Sequence, residues 1–139
     1  MTLRYLLDTN VVSAPFRIDP PASLLQRLSD HSGTMALGVL SWHELRFGHA
    51  LLPASRRKDA LGRYLNEVVL PSFPLLPYDR AAAEWHAMER ARLRKLGMEP
   101  PIIDAQLAAI AATRGLVLVT HNLADFSPFQ GLVVENWLQ

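Results

Sequence analysis

Short apolar runs separated by helix-length segments constrain the fold of this chain more than any other feature. Strands that are buried on both faces show continuous apolar runs instead of an alternating pattern, and five segments have that character. They are residues 5–7, 35–40, 71–77, 116–119 and 133–134. Because helical patterns lie between these runs, the sequence predicts an α/β fold around a mostly parallel sheet of about five strands.

The helical segments carry recognisable start and stop signals. Asp79 is a typical N-cap residue, and Gly97 a typical residue after the last turn, for one long helix between them. Ser41 and Glu44 match a capping box, which predicts that a helix begins at Ser41. The patterns predict a short helical turn at 11–16 and helices at 22–29, 41–50, 56–70, 80–96 and 102–114.

Length and composition exclude several classes of protein. A chain of 139 residues, of which 50% are hydrophobic and 19% charged, is expected to form one domain over residues 1–139. The absence of cysteine excludes disulfides, thiol nucleophiles and thiolate metal sites. No apolar stretch is long enough for a membrane span or a signal-peptide core, so a cytoplasmic location is expected. The net charge of +1 means that any nucleic-acid binding must come from a local patch.

Four carboxylates occupy comparable places in this predicted fold. Asp8, Glu44 and Asp125 each follow a predicted strand, and Asp104 lies in the first turn of the helix that leads into the fourth strand. Ligands of open α/β sheets bind in the crevice beyond the carboxyl ends of the strands. The four side chains are therefore expected to converge at one edge of the sheet.

Each carboxylate also has an ordinary structural explanation. Asp8 can start a turn or cap a helix, Glu44 can complete the capping box, and Asp125 can be a loop residue or cap. Asp104 can be favoured by the helix dipole, although the residues on its helix face, Leu107, Ala108 and Ala111, are apolar.

As a set, the carboxylates need a compensating partner. Like charges about 4 Å apart repel by roughly 4 kcal/mol at an effective dielectric constant near 20. Either some of the groups bind protons at neutral pH or a divalent cation lies among them. Oxygen ligands in an open crevice suit Mg²⁺ or Mn²⁺, and such a metal indicates phosphodiester hydrolysis.

The blocks that contain these carboxylates resemble PIN domains of the VapC toxin type. They are Leu-Leu-Asp8-Thr9-Asn10, Ser41-Trp-His-Glu44-Leu-Arg-Phe-Gly48, Ile-Asp104-Ala-Gln-Leu-Ala-Ala and Val-Thr120-His-Asn122-Leu-Ala-Asp125-Phe126. The blocks occur in the family order and cover essentially the whole chain. The resemblance implies a three-layer α/β/α fold and a Mg²⁺-dependent endoribonuclease, with Mn²⁺ able to substitute.

The resemblance also implies roles for individual residues and for partners. Asp8 and Asp104 would hold the metal, Glu44 would assist directly or through water, and Asp125 would complete the acidic set. The residues that would orient these carboxylates are Thr9, Asn10, Thr120 and Asn122. The toxin role implies a cognate antitoxin that blocks the site, an RNA substrate of the tRNA or rRNA class, and a homodimer.

Two departures from the family pattern fall close to the site. His121 stands where the family often has arginine, which would alter RNA contact or pH dependence. The segment Pro100-Pro101-Ile102-Ile103 precedes Asp104, where a more polar approach is usual. Neither change removes a carboxylate.

Basic and apolar side chains outside the acidic blocks are candidates for contact with RNA and with a partner. The candidates for RNA phosphate are Arg56, Arg57, Lys58, Arg90 and Arg94, for which plain solvation is the alternative. Two helices offer more apolar surface than they need, through Trp42, Phe47, Leu51, Leu52, Leu61 and Leu65. This surface is predicted to form a groove or dimer face that an antitoxin segment covers.

Two other functions remain as alternatives. The same fold without catalysis would be an RNA-binding or interaction module. A phosphatase of the haloacid dehalogenase type would require an aspartate at position 10, where this chain has asparagine, and a separate lysine. The histidines form no helical ligand pair, which argues against a zinc hydrolase.

Overall fold

Five short strands form one sheet in which every neighbouring pair is parallel. The computed structural model describes residues 2–17 and 19–138. The strands are β1 (Tyr5–Leu7), β2 (Met35–Gly38), β3 (Leu75–Leu76), β4 (Val117–Val119) and β5 (Val134–Glu135). Their order across the sheet is β3-β2-β1-β4-β5, with β1 in the centre. The predicted α/β class and parallel sheet are confirmed.

The central strand divides the core into two layers. Successive side chains of a strand point to opposite faces, so Leu6 belongs to one apolar cluster and Tyr5 and Leu7 to the other. All three residues are buried, which explains why β1 has no polar alternation. Trp137, from the last described turn, is fully buried beside Tyr5.

Helices cover both faces of the sheet and complete three layers. The helices are α1 (Thr9–Ser13), α2 (Ala22–Asp30), α3 (Val39–Leu51), α4 (Arg56–Arg63), α5 (Leu70–Ser72), α6 (Arg80–Lys95), α7 (Ile102–Thr113) and α8 (Leu123–Phe126). A 3₁₀ turn at Ala14–Phe16 follows α1, and a π-helical segment at Tyr64–Val69 joins α4 to α5. No helix formed by the described residues is both long and apolar enough to cross a lipid bilayer.

The predicted capping box at Ser41 is wrong. Strand β2 ends at Gly38, whose extended backbone is the N-cap, and α3 begins at Val39. Ser41 therefore lies inside the first turn, where it is buried. The apolar run 35–40 crosses the junction between strand and helix, and an apolar run alone cannot locate that junction.

Other helix boundaries follow the sequence signals. Asp79 caps α6 by accepting a hydrogen bond from the Ala82 amide at 3.0 Å. Gly97 adopts a φ of 77°, which only glycine adopts without strain. The predicted helix 56–70 extends to Ser72, because the π-helical segment continues it instead of ending it.

Close packing between β2 and α7 places the first turn of α7 near the edge of the sheet. A Cβ atom at Gly38 would lie 3.0 Å from the Leu107 side chain, so any larger residue would force that side chain to shift. Ala108 and Ala111 on the same face of α7 are fully buried. This packing brings Asp104 towards the carboxyl ends of the strands.

Candidate active site

Asp8 is held in one orientation by hydrogen bonds to both of its carboxylate oxygens. Oδ1 accepts from the Thr9 amide at 2.8 Å, which makes Asp8 the N-cap of α1. Oδ2 accepts from the Thr120 hydroxyl, also at 2.8 Å, across the junction of β1 and β4. Asp8 is thus a helix cap, as one interpretation predicted, and it also faces the carboxyl edge of the sheet.

Asp104 lies where several negative charges meet. Burial, followed by repulsion from Asp8, Asp125 and Glu44, raises the pKa of Asp104 to about 6. Its helix neighbours Leu107 and Ala108 are buried, so the carboxylate stands at the head of an apolar face. A charge in this position is costly unless a counter-charge or cation is supplied.

Glu44 and Asp125 complete the acidic group. Burial and the charge of Asp8 raise the pKa of Glu44, while the neighbouring His43 opposes the shift. Asp125 lies in the short helix α8 and is exposed, yet its charge acts on Asp104. The charges of Asp8, Glu44 and Asp125 thus all act on Asp104, and we call these four residues the acidic cluster.

Among the residues that the structure describes, no basic side chain forms an ion pair with the acidic cluster. The ion pairs that join described residues involve other carboxylates, namely Asp79, Glu84, Glu89 and Glu99. Within residues 2–17 and 19–138, no group of three or more acidic or histidine side chains is arranged so that it could hold a metal ion without some movement of the side chains. The donors fit a hard divalent cation in kind, because all are carboxylate oxygens and their repulsion is relieved by positive charge.

The predicted orienting residues differ in what they contact. Thr120 binds Asp8 through its side chain and also accepts a hydrogen bond from the Asn122 amide at 3.1 Å. Thr9 contacts Asp8 through its backbone. Asn10 is exposed, and its observed hydrogen bond is through its backbone carbonyl, which accepts from Ser13 at 3.4 Å.

His121 lies beside the acidic cluster in a partly buried position. Burial and the charge of Arg17 lower its pKa, whereas Asp8 acts in the opposite direction. Its Nε2 atom is buried and has no hydrogen-bond partner among the described residues. The neutral ring is therefore favoured, in contrast to the permanent charge of the arginine that the family often has here.

The predicted phosphate-contacting residues lie in two different environments. Arg56 and Arg90 are exposed, and Arg57 lies over the Phe16 ring at 5.6 Å. Lys58 and Arg94 are already engaged: the Lys58 ammonium donates to the Leu52 carbonyl at 3.0 Å, and Arg94 pairs with Glu99.

An open groove runs from the acidic cluster between α1, α3 and α4. Its volume is about 310 Å³, and it is lined by Ser13, Phe16, Arg17, Glu44, Leu45, Gly48, Leu52, Arg57 and Leu61. We call it the Glu44 groove. Phe47 and Leu51 on α3 are 58% and 68% exposed, so this part of the predicted partner surface is open to solvent.

The prediction of a partner-facing Leu65 is wrong. Leu65 is fully buried, because it lies on the same helical face as Val69 and packs into the core with Val69 and Leu7. Trp42 and Leu61 are partly buried against the same core. The partner surface is therefore smaller than the sequence suggested.

Three residues near the site escaped the sequence analysis. Phe16 and Arg17 line the Glu44 groove, and the Tyr64 hydroxyl donates to the Val12 carbonyl at 2.7 Å, which ties the π-helical segment to α1. Burial raises the pKa of Tyr64 to about 12, so it remains a donor. For Phe16 and Arg17, the available signal in the sequence is an aromatic residue followed by a cation after the first helical turn.

The family model described as the PIN domain matches residues 5–127. The chain belongs to the PIN-domain family. The predicted resemblance is confirmed.

Its relatives include proteins of the VapC type. The chain is 33% identical over 135 residues to the plasmid stability protein StbB of Pseudomonas syringae pv. tomato, covering 95% of this chain and 97% of StbB. It is 30% identical over 135 residues to the tRNA(fMet)-specific endonuclease VapC of Shigella flexneri, covering 97% and 98%. The structure of FitAcB from Neisseria gonorrhoeae superposes with a TM-score of 0.86 at 30% identity, covering 96% of this chain and 97% of that one.

Proposed function

We propose that this PIN-domain protein is a Mg²⁺-dependent endoribonuclease that hydrolyses RNA phosphodiester bonds and acts as the toxin of a toxin–antitoxin pair. The observation that carries the proposal is the acidic cluster, where burial and then the charges of Asp8, Asp125 and Glu44 raise the pKa of Asp104 to about 6. The VapC relatives, one of them named as a tRNA-specific endonuclease, support the reaction and a substrate of the tRNA or rRNA class.

Asp8 and Asp104 would hold the metal, with Glu44 and Asp125 assisting. Bound Mg²⁺ supplies an activated water and stabilises charge on the phosphodiester; Mn²⁺ has similar ligand preferences. The hydrogen bonds from Thr9 and Thr120 fix the Asp8 carboxylate, so its orientation is set before substrate arrives. Asn122 would support this arrangement through Thr120, while Asn10 is left without a side-chain role.

RNA would reach the acidic cluster along exposed basic side chains. Arg56 and Arg57 lie at the start of α4 near the Glu44 groove, and Arg90 lies on α6. Lys58 would contribute through its charge, since its partner is a neutral carbonyl, whereas Arg94 would have to leave Glu99 to contact phosphate. A local patch is needed because the net charge is only +1.

The antitoxin would cover the Glu44 groove. An apolar segment packed on Phe47, Leu51 and Leu52 would lead directly to Glu44 and block access to the acidic cluster. We further propose that residues 1–139 act as one domain, that the protein forms a homodimer and that it functions in the cytoplasm.

Cleavage of a mixed tRNA and rRNA pool tests the nuclease proposal. We expect cleavage with Mg²⁺ or Mn²⁺, none with EDTA, and none with the Asp8→Asn variant in any buffer. Single-stranded DNA of matched length is the control for substrate class. Cleavage that persists in EDTA would overturn the proposal.

Growth on expression separates the nuclease from a non-catalytic binding module. We expect the wild-type chain to inhibit growth and the Asp8→Asn and Asp104→Asn variants not to. Inhibition that both variants retain at equal protein levels would support the binding module instead.

Substitution on the exposed face of α3 beside the Glu44 groove tests the antitoxin surface. The Phe47→Ser and Leu51→Ser double variant should weaken binding of the cognate antitoxin, measured by calorimetry, and leave RNA cleavage intact. Met88→Ser, which removes an exposed apolar side chain from α6, is the matched control. Equal antitoxin affinities for the two variants would contradict this location.

A further inference from the structure

A second cavity lies on the other side of the first turn of α7, between that turn and α6. Its volume is about 80 Å³, and it is lined by His86, Arg90, Leu93, Glu99, Pro100, Ile102, Ala105 and Phe129. We call it the His86 pocket. His86, Leu93, Ala105 and Phe129 are buried and form its floor, whereas Arg90, Glu99 and Ile102 are exposed and form its rim.

The polar groups of the His86 pocket favour a ligand with hydrogen-bond acceptors. The Tyr78 hydroxyl lies 2.9 Å from His86 Nδ1, and when it donates, the proton of the neutral ring lies on Nε2. Burial and the charge of Arg90 lower the pKa of His86, which favours that neutral ring. Arg90 makes no ion pair with a described residue, while Glu99 is neutralised by Arg94.

The aromatic wall of the pocket is held rigidly from both sides. Glu89 accepts a hydrogen bond from the Gln130 amide at 2.8 Å, and Arg92 donates to the Pro128 carbonyl at 2.9 Å. These two bonds flank Phe129, and the Glu89 and Arg92 side chains are themselves paired at 2.7 Å. Phe129 is therefore fixed before any ligand binds.

The size of the pocket selects a small planar group. A volume of about 80 Å³ is smaller than the roughly 150 Å³ of an apolar cavity that encloses benzene. Because the rim is exposed to solvent, a single six-membered ring can enter in part, whereas two fused rings are too large. An apolar floor with an aromatic wall and a few donors is the environment in which proteins bind unstacked bases.

We propose that the His86 pocket binds one pyrimidine base of the RNA substrate next to the bond that is cleaved, and so contributes sequence preference. The base packs on Phe129 and Ala105, accepts a hydrogen bond from His86, and its phosphate lies at Arg90. This inference rests on the proposed nuclease function.

The position of the pocket relative to the acidic cluster supports this assignment. Ala105 lines the pocket and Asp104 belongs to the acidic cluster, and adjacent Cα atoms lie only about 3.8 Å apart. Neighbouring residues of a helix project about 100° apart, because one turn contains 3.6 residues. An RNA chain whose phosphodiester group lies at Asp104 can thus place the adjacent base in the His86 pocket, on the neighbouring face of the same helical turn.

Binding of abasic RNAs tests the pocket. The cleavage-blocked Asp8→Asn protein is titrated with eight-nucleotide pyrimidine RNAs that carry one abasic residue at each position in turn, and affinity is followed by fluorescence anisotropy. We expect one position at which base removal weakens binding about tenfold, as for loss of one base–aromatic stack. A purine at that position should weaken binding similarly.

Filling the pocket should abolish this positional effect. Ala105→Leu extends three carbons into existing space, so the melting temperature should be retained while intact and abasic RNAs bind alike. Arg90→Gln should reduce the effect, and Arg80→Gln, which removes the same charge from the exposed start of α6, should not. If Ala105→Leu melts at a lower temperature, His86→Phe replaces it, since phenylalanine removes the donor and narrows the pocket.

The two proposals fail in different ways. Equal affinities at all abasic positions, or a positional effect that survives the filling variants, would overturn the proposal that the His86 pocket binds a base. Mg²⁺-dependent cleavage by the wild-type protein would continue in that case. Loss of metal-dependent cleavage with a retained positional effect would overturn the nuclease alone.

Discussion

Asp104 and Glu89 are carboxylates on two helices that pack together, yet their surroundings affect them in opposite ways. Glu89 accepts hydrogen bonds from Arg92 at 2.7 and 3.0 Å and from the Gln130 amide at 2.8 Å, and the Arg92 bonds are the main reason that its pKa is lowered. Asp104 is less buried, but burial and three like charges raise its pKa to about 6. Hydrogen bonds and an ion pair compensate the charge of Glu89, whereas no described basic side chain forms an ion pair with Asp104.

This difference separates a structural carboxylate from a functional one. Glu89 fixes the segment after α8 and contributes to folding, whereas Asp104 costs folding energy when no cation is present. Unfavourable electrostatics of this kind cluster at functional sites. Substitutions at the two positions should therefore have opposite effects on activity and on stability.

The largest expected effect is on catalysis. Asp104→Asn should reduce Mg²⁺-dependent RNA cleavage by a factor of roughly 1,000, since each 1.36 kcal/mol of lost transition-state stabilisation is about tenfold in rate. It should not lower stability, because it removes a repelled charge. Asp59→Asn, at an exposed aspartate in the first turn of α4, is the matched control. Cleavage by Asp104→Asn at the rate of that control would contradict the functional role of Asp104.

Glu89→Gln should show the reverse behaviour. Loss of the Glu89 charge weakens its hydrogen bonds with Arg92 and with the Gln130 amide, so the midpoint of urea unfolding should fall. Cleavage per folded molecule should remain close to that of the wild type. A variant as stable as the wild type would show that the Glu89 network contributes little to folding.

Thr120→Val probes the orientation of Asp8. Loss of the hydroxyl leaves Asp8 Oδ2 without its observed donor, and loss of such an outer partner typically costs about 10–100-fold in metal affinity or activity. The Mg²⁺ concentration needed for half-maximal cleavage should therefore increase. Thr113→Val, whose hydroxyl bonds its own helix, serves as the control. An unchanged Mg²⁺ requirement in Thr120→Val would contradict the orienting role.

The smallest expected effect is a pH dependence of stability without metal. The pKa of Asp104 is raised from 3.8 to about 6 in the folded protein, so the folded state binds the proton more tightly than the unfolded state does. The resulting contribution to the free energy of unfolding is fully present below pH 3.8 and is lost as the pH rises through 6. Partial exposure reduces the effect to about 1 kcal/mol. The wild type in EDTA should lose this stability between pH 4 and 7 relative to Asp104→Asn, and Mg²⁺ should restore it. A pH-independent difference between the two proteins would argue against the repulsion.

The sequence predicted the sheet and the acidic cluster because both depend on local signals. Continuous apolar runs marked strands β1 and β4, and carboxylates at the ends of parallel strands had to meet at one edge. The signal failed at Ser41, where the apolar run continued from strand into helix. It also failed at Leu65, because apolar residues at i and i+4 form the same pattern whether that helix face packs on the core or on a partner.

The Glu89 network and the His86 pocket could not be predicted in the same way. Glu89 and Gln130 are 41 residues apart, and their contact depends on how the segment after α8 folds back over α6. Neither residue lies in a recognisable motif. Such contacts become visible only when tertiary packing is known.

Anomalous diffraction from crystals soaked in Mn²⁺ tests the central claim most directly. A single cation-binding site at the carboxyl edge of the sheet predicts a strong peak bonded to carboxylate oxygens of both Asp8 and Asp104, absent from Asp104→Asn crystals. A fully soaked crystal with no peak at these residues, or with manganese held only elsewhere on the protein, would contradict the account.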